Sequence, residues 1–548
     1  MIWFAGIVLF AAIALSAASG LVGSIGLATE SEDVRATVAA GVAVVLFIVA
    51  AVVWLTGIGF IARWRGPRWT LAIGLGATVV VRLILAIAIE APIAGGGTAS
   101  VNGDGAALFA EAARVADGGL VPGDWAIGYP ALLGGLMAVT GEQRWLEPTL
   151  DIVASVMIGA LLFDLLRRAG GLAVAAAGIG LFAITPSQAL LVPAFGPDLV
   201  YAALVLAAIW LLVAGPMSEP RLSAWHIRPG SWSTACAALA GGLLGLSHMV
   251  RPTSLALLPG FVILMLIALR SSQPRRAAAA FFLVFLAVLV PVMVDNIGRH
   301  DALSLEPTSF AGWRLAVGTD PAVGGGIAEI DPDGLESFPG ETTRAHSDAA
   351  GSEALNHVLD DPMAFVELAG SKFGGAWSDD GYGAMLALGP VPAIAPGGGL
   401  LLALEIASQV VWTFVALAAA WGIARSWPLP SILVATVLVV ASLAALHTVI
   451  ATEGRDHAVV MPLFLIAAAV GVAGPFSADR GRAFTDRRAT GGSIGARMTR
   501  DGSDGPWRAA VVGASAPEAP LCPLWSHGPR SSGPTEPSWR RADDVRRR

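Results

Sequence analysis

Charge is scarce in this chain, and lysine is scarcer. Only 14% of its 548 residues are Asp, Glu, Lys or Arg, against 55% hydrophobic, and Lys372 is the single lysine. A soluble domain carries about a quarter charged residues, so an ordinary water-soluble protein is excluded, and the mean hydropathy of +0.70 agrees. Cysteine is nearly absent. Cys236 lies in an apolar run and Cys522 in a polar tail, so there is no disulfide framework. No Cys/His cluster has metal-ligand spacing, and Gly324-Gly325-Gly326 lacks the surroundings of a phosphate loop and reads as a turn. The first apolar run has no basic segment before it. It reads as a signal anchor that stays in the membrane as the first span.

What the chain does have is apolar runs of about 18 residues or more, the length of a transmembrane helix. The reading is an all-α polytopic membrane protein with about twelve transmembrane helices. Residues 1–91 hold the first spans and 92–147 an extracytoplasmic loop with a juxtamembrane and a re-entrant helix. Residues 148–294 hold the transmembrane core, 295–399 a larger extracytoplasmic segment, 400–475 the last spans and 476–548 a disordered cytoplasmic tail. Residues 127–139 decide the topology. At about 1.5 Å per residue they are too short to cross a hydrocarbon core of about 30 Å. If they turn back, Arg63, Arg65, Arg68, Arg167, Arg168, Arg270, Arg275, Arg276 and Arg425 all fall on the cytoplasmic side. If they cross, Arg167, Arg168 and every later loop invert.

The polar stretch from Asn102 to Gly119 organises the expected outer face. It opens with Asp104 and continues as a short helix that shows Leu108, Ala112 and Val115 on one side, with Glu111, Arg114 and Asp117 elsewhere. It then leads to Gly128-Tyr129-Pro130. Such a helix lies flat at an interface. A carboxylate at the mouth of a bundle can take an acceptor's proton, and it serves equally well as a helix N-cap. Asp198, after Gly196-Pro197, offers the same two roles at the start of a span. Arg251 stands between two apolar runs, one turn after Ser247 and His248, and its planar fork suits a phosphate. Lys372 and Arg455 are further outer-face cations near span ends. Trp313, Trp377 and Tyr382 are outer aromatics suited to sugar stacking or interface anchoring.

Taken in order, these landmarks resemble the glycosyltransferase C superfamily, in particular the dolichyl-phosphate-mannose–protein mannosyltransferases and aminoarabinose transferases. The matching positions are Asp104 with its helix and Gly128-Tyr129-Pro130, then Arg167-Arg168, Thr185-Pro186 and Pro197-Asp198. They continue with Arg251-Pro252-Thr253, Pro291, Asp295-Asn296, Gly318 to Pro321, Ala354 to Pro362, Lys372, Arg455 and Pro462. Leu108, Asp295 and Asp456 depart from the pattern. The resemblance implies an inverting transferase of the extracytoplasmic face of the cell membrane. It would use a polyprenyl-phosphate sugar and a glycan, lipid or protein acceptor, with no cofactor and no obligatory metal. Asp104 would be the general base, with Asp198 a second catalytic carboxylate. Arg251, Lys372, Arg455 and Tyr129 would hold substrate or phosphate. A lipid-linked glycan transporter and a non-catalytic glycolipid-binding protein are the alternatives. Transporters usually show repeated halves, and no halves are visible.

Overall fold

The computed structural model describes residues 1–474 apart from 31–33, 95–102, 120–125, 195, 218–228, 269–273, 301–302, 309, 322–342, 382–398 and 452–453. Tyr382, Gly324–Gly326, Arg270 and the tail therefore lie outside the description, as do the side chains of Asp104, Arg455 and Asp456.

Among the described residues the chain is helical, with no strand. The first half comprises α1 (Ile2–Glu30), α2 (Val34–Arg65), α3 (Pro67–Ala94), α4 (Gly103–Ala116), α5 (Gly128–Thr140), α6 (Leu146–Gly170), α7 (Leu172–Ile184), α8 (Pro186–Leu190) and α9 (Asp198–Met217). The second half comprises α10 (Pro229–Val250), α11 (Ser254–Ala268), α12 (Pro274–His300), α13 (Ala311–Thr319), α14 (Thr343–Asp360), α15 (Pro362–Ser378), α16 (Gly399–Ala424), α17 (Ser431–Val449), a 3-10 turn (Gly454–Val460) and α18 (Met461–Ala473). Eight stretches are long and apolar enough to cross a membrane: 2–24, 37–65, 67–89, 146–170, 233–250, 274–298, 401–424 and 431–449. The protein is therefore membrane-embedded. Its backbone polar groups must be satisfied within each segment, which in lipid favours helices. The shorter apolar helices are Gly128–Thr140, Leu172–Ile184, Asp198–Val213, Ser254–Ile267 and His457–Ala473. Four of them fall on expected spans, and the first coincides with the short run at 127–139.

Two expected boundaries change. The run at 172–190 is broken at Thr185, because Pro186 cannot continue a helix and instead starts α8 at its first position. The run at 278–294 extends to His300 and carries Pro291 inside it. The expected pair of helices around Asp361-Pro362 is present as α14 and α15. Asp361 caps α15 by accepting from the Ala364 N–H at 3.0 Å.

The helices share two ends. Around one level, Trp54 Nε1 donates to the Gly180 carbonyl at 3.0 Å, and Gly74 and Gly159 abut Ile179. From that level α2 and α6 run onward, and α3 and α7 run back, to Arg63, Arg65 and Arg68 and to Arg167 and Arg168. At the same end, Trp3 Nε1 donates to the Ile423 carbonyl at 3.0 Å, one residue before the end of α16 and two before Arg425. At the other end, Gln409 Nε2 and Thr413 Oγ1 both donate to the Ala17 carbonyl, at 2.9 and 3.0 Å. The candidate residues lie at this second end, called the rim below.

Candidate functional site

The rim is assembled from helix termini. Asp198 opens α9, and Arg251 follows the last residue of α10. Their side chains form an ion pair in which the Arg251 guanidinium donates to an Asp198 carboxylate oxygen. Both are largely shielded, with side-chain exposures of 12% and 6%. Two hydroxyl bonds tie these helices to the start of α11. Thr253 Oγ1 donates to the Tyr201 hydroxyl at 3.0 Å, and Ser247 and Ser254 share a bond of 2.8 Å. His248, fully buried, meets the Leu305 carbonyl through Nε2 at 3.1 Å. A carbonyl only accepts, so Nε2 carries the hydrogen. His248 thereby joins the end of α10 to the segment after α12.

The Gly-Tyr-Pro element packs beside this pair. A Cβ on Gly128 would lie 2.7 Å from the backbone carbonyl of Met249, so only glycine lets α5 start against the end of α10. Tyr129 is fully buried and its hydroxyl donates to Glu147 Oε1 at 2.9 Å. Tyr129 thereby ties the start of α5 to the start of α6, so both helices begin at the rim. This hydroxyl faces the protein interior, and it supports the scaffold rather than a substrate. Helix α4 lies on α5, burying Leu108 and Ala112 as expected. Glu111 is a correction, being only 5% exposed. It stands three residues after Leu108 and shares its face, and Arg114 pairs with it from the exposed side. Asp104 is the second residue of α4.

The second half of the rim holds the other cations. Lys372, on α15, is 4% exposed and donates through Nζ to the Gly318 carbonyl. Burial lowers its pKa to about 8. Gly318, next to last in α13, makes a close approach, where a Cβ would lie 2.3 Å from the Ile450 carbonyl carbon. The Ala451 N–H donates to the Arg314 carbonyl at 2.9 Å, fastening α13 to the end of α17. The 3-10 turn that carries Arg455 follows directly. It packs on α9, the helix that begins with Asp198, and on α15, the helix that carries Lys372. Gln188 of α8 donates to the Ala458 carbonyl at 2.9 Å.

Trp377 is a second correction. It is fully buried, packed against Trp412 and Phe464, and can neither stack on a sugar nor anchor at an interface. Its alternation of Gly and small residues with single aromatics did not distinguish a buried anchor from an exposed one. Asp164 is satisfied by Arg167, Arg168 and Trp210 at the arginine end. Asn296 donates to the Ser304 and Glu306 carbonyls at 3.0 and 2.9 Å, turning the chain out of α12. Two residues escaped the reading of the sequence. His457 and Asp380 form a buried pair at 2.9 Å under the rim. Neither had a motif around it, and only the packing of the 3-10 turn on α15 joins them. Comparison of the chain with protein-family models, with curated proteins and with solved structures finds no match.

Proposed function

We propose that the protein is an inverting glycosyltransferase of the extracytoplasmic membrane face. It would take a sugar from a polyprenyl-phosphate carrier and pass it to an acceptor hydroxyl. The arginine-rich end is then the cytoplasmic one, and the rim faces outward. One observation carries this reading. Residues from several of the motifs between Gly128 and Val460, Arg167-Arg168 apart, meet at one end of the bundle, with Gly128 against Met249, Arg251 on Asp198, and the Arg455 turn on both α9 and α15.

In this reading Asp104 takes the proton of the acceptor hydroxyl. The hydroxyl oxygen attacks the anomeric carbon from the face opposite the phosphate, the carbon–phosphate oxygen bond breaks, and the polyprenyl phosphate leaves with the bonding pair. Charge therefore grows on the phosphate. Arg251, Lys372 and Arg455 are the groups that stabilise it. Asp198 holds Arg251 in position until the phosphate arrives. Tyr129 belongs to the framework.

The test uses the full chain in lipid nanodiscs with a polyprenyl-phosphate sugar labelled in the sugar. Binding of the lipid and release of polyprenyl phosphate are measured, and cell-envelope glycans are compared with and without the protein to identify the acceptor. Asp104→Ala should keep lipid binding and membrane insertion and lose transfer. Unchanged transfer would reject the base. A protein that moves the intact lipid across the bilayer without cleaving it would be a transporter.

A further inference from the structure

Beneath the rim, His457 makes two hydrogen bonds whose donors can be counted. Its Nδ1 lies 2.9 Å from the Ala376 carbonyl oxygen, and its Nε2 lies 2.9 Å from Asp380 Oδ1. The carbonyl only accepts, so Nδ1 must carry a hydrogen. The Nε2–Asp380 bond then needs a hydrogen of its own. It sits on Nε2, giving imidazolium and carboxylate, or on the carboxyl, giving neutral imidazole and acid. Both arrangements contain the same number of protons and leave the pair with zero net charge. Without that hydrogen, two acceptors would face each other at 2.9 Å in a place where His457 is fully buried and Asp380 is 3% exposed.

We propose that the His457–Asp380 pair holds one shared proton and, through it, fastens the turn carrying Arg455 to the helix carrying Lys372, which makes His457 a positioning residue for the phosphate-binding cations. Reading those cations as phosphate ligands rests on the function proposed above, whereas the proton count does not. The surroundings fit a fixed joint. The imidazole stacks on Trp412 with ring centroids 4.6 Å apart and lies 5.9 Å from the Trp377 ring. Trp412 Nε1 donates to the Trp377 carbonyl at 2.9 Å, and Gln409 Oε1 accepts from the Asp380 N–H at 2.9 Å. Charged and titratable groups come from α9, α15, α16 and the turn itself. Asp379 and Asp380 follow α15, which also carries Lys372. Asp198 opens α9, Glu405 lies on α16, and Arg455 and Asp456 share the turn. The residues of α18 are all uncharged. Burial raises the Asp380 carboxyl, and His457 opposes that rise.

A direction for pH follows from the count. In an unfolded chain above about pH 6.5 a histidine is neutral and an aspartate ionised, so the pair takes up a proton on folding. Stability due to the pair is complete between about pH 4 and 6.5 and is lost as pH rises above that window, because the folded state binds more protons there. Asp380→Asn separates the shared proton from the bond. An asparagine amide can donate to a neutral Nε2, which keeps the joint and removes the titration.

The experiment labels histidine with 15N in the full chain in nanodiscs and assigns His457 by its loss in His457→Gln. Nδ1 should be protonated at pH 7, with the Nε2 signal that of a protonated or strongly hydrogen-bonded nitrogen. An Nε2–H tautomer with a bare Nδ1 would overturn the count. The thermal midpoint should fall between pH 6.5 and 9 in the native chain and fall less in Asp380→Asn. Parallel declines would overturn the shared proton. His457→Gln should raise KM for the polyprenyl-phosphate sugar about tenfold, the loss of roughly one hydrogen bond to a charged group, with kcat held, and Asp380→Asn should restore KM. If His457→Gln leaves KM unchanged while transfer proceeds, the positioning role is wrong. If no transfer is seen in any variant, the spectrum and the midpoints still decide the proton.

Discussion

Arg251→Ala is the perturbation that separates a structural ion pair from a functional one. Arg251 and Asp198 are both largely removed from solvent, and each has the other as an ionic partner. Removing the arginine leaves a carboxylate in a shielded site without its counter-charge. Breaking such a pair costs about 3–5 kcal/mol. The rim is less dry than a protein interior, so the lower figure, about 3 kcal/mol, is expected. In a chain of 548 residues that is a fall in thermal midpoint of about 3 °C. Asp198→Asn should cost less, because the amide still accepts a hydrogen bond and the arginine can reach toward the surface. The double variant Arg251→Gln with Asp198→Asn replaces the charges by two amides that can bond to each other, and it should recover most of the lost stability. Lipid binding should behave differently. If Arg251 holds phosphate, affinity for the polyprenyl-phosphate sugar falls at least tenfold in both Arg251→Ala and the double variant, the loss of about one charge-assisted contact. The assays are thermal unfolding in nanodiscs and equilibrium binding of the labelled lipid. Single-variant costs that simply add would refute the pair. Full lipid affinity in the stable double variant would refute the phosphate role while leaving the pair intact.

Other outcomes are equally specific. Asp104→Asn should lower kcat by about 10²- to 10⁴-fold, the range for a lost general base, with lipid affinity unchanged. A fall in affinity with kcat intact would assign Asp104 to binding. Lys372 has its pKa lowered to about 8 by burial, so its ammonium is lost above that pH and lipid affinity should decline between pH 7 and 9. Lys372→Arg, which stays charged, should bind equally at both. The same lowered value means the unfolded chain binds more protons between about pH 8 and 10.4, so the Lys372 contribution to stability rises with pH over that window, and Lys372→Met should flatten it. Tyr129→Phe removes the donor to Glu147 and should cost about 1–3 kcal/mol without changing kcat. A loss of kcat at full occupancy would return Tyr129 to the reacting groups.

The sequence was most legible where one-dimensional pattern coincides with the physics. Long apolar runs gave the helices, and the Asp361-Pro362 junction gave the α14–α15 break, since proline sets the first turn and aspartate caps it. The shortness of residues 127–139 was informative for the same reason, and the Tyr129–Glu147 bond now shows α5 and α6 starting at one end. Burial among the polar residues was not legible. Glu111, Trp377 and Lys372 each read as surface groups, because a charged or aromatic residue outside a span is ordinarily wet. All three are buried by tertiary packing, Glu111 on the α4 face that meets α5, and Trp377 and Lys372 where α15 lies on the bundle. The Asp380–His457 pair was invisible because its partners are 77 residues apart. Its meaning lies in a hydrogen count that only coordinates supply.

Charge balance at the rim gives the proposed chemistry its direction. Asp198 already neutralises Arg251, so an arriving phosphodiester, with a single negative charge, competes with an established partner. Ground-state binding through Arg251 is therefore weaker than an unpaired arginine would give, although its removal still costs the tenfold stated above. As the sugar leaves, the phosphate becomes a monoester and gains negative charge, and the balance shifts toward it. An interaction that strengthens along the reaction lowers the barrier rather than the ground state. Lys372 fits the same logic, since one of its three hydrogens is committed to the Gly318 carbonyl and two are available to oxygens that gain charge. On this argument Asp198→Asn, which frees Arg251 to bind the lipid before reaction, should tighten lipid binding and lower kcat together, and a variant that tightens binding with kcat unchanged would show that Asp198 restrains Arg251 without serving the transition state.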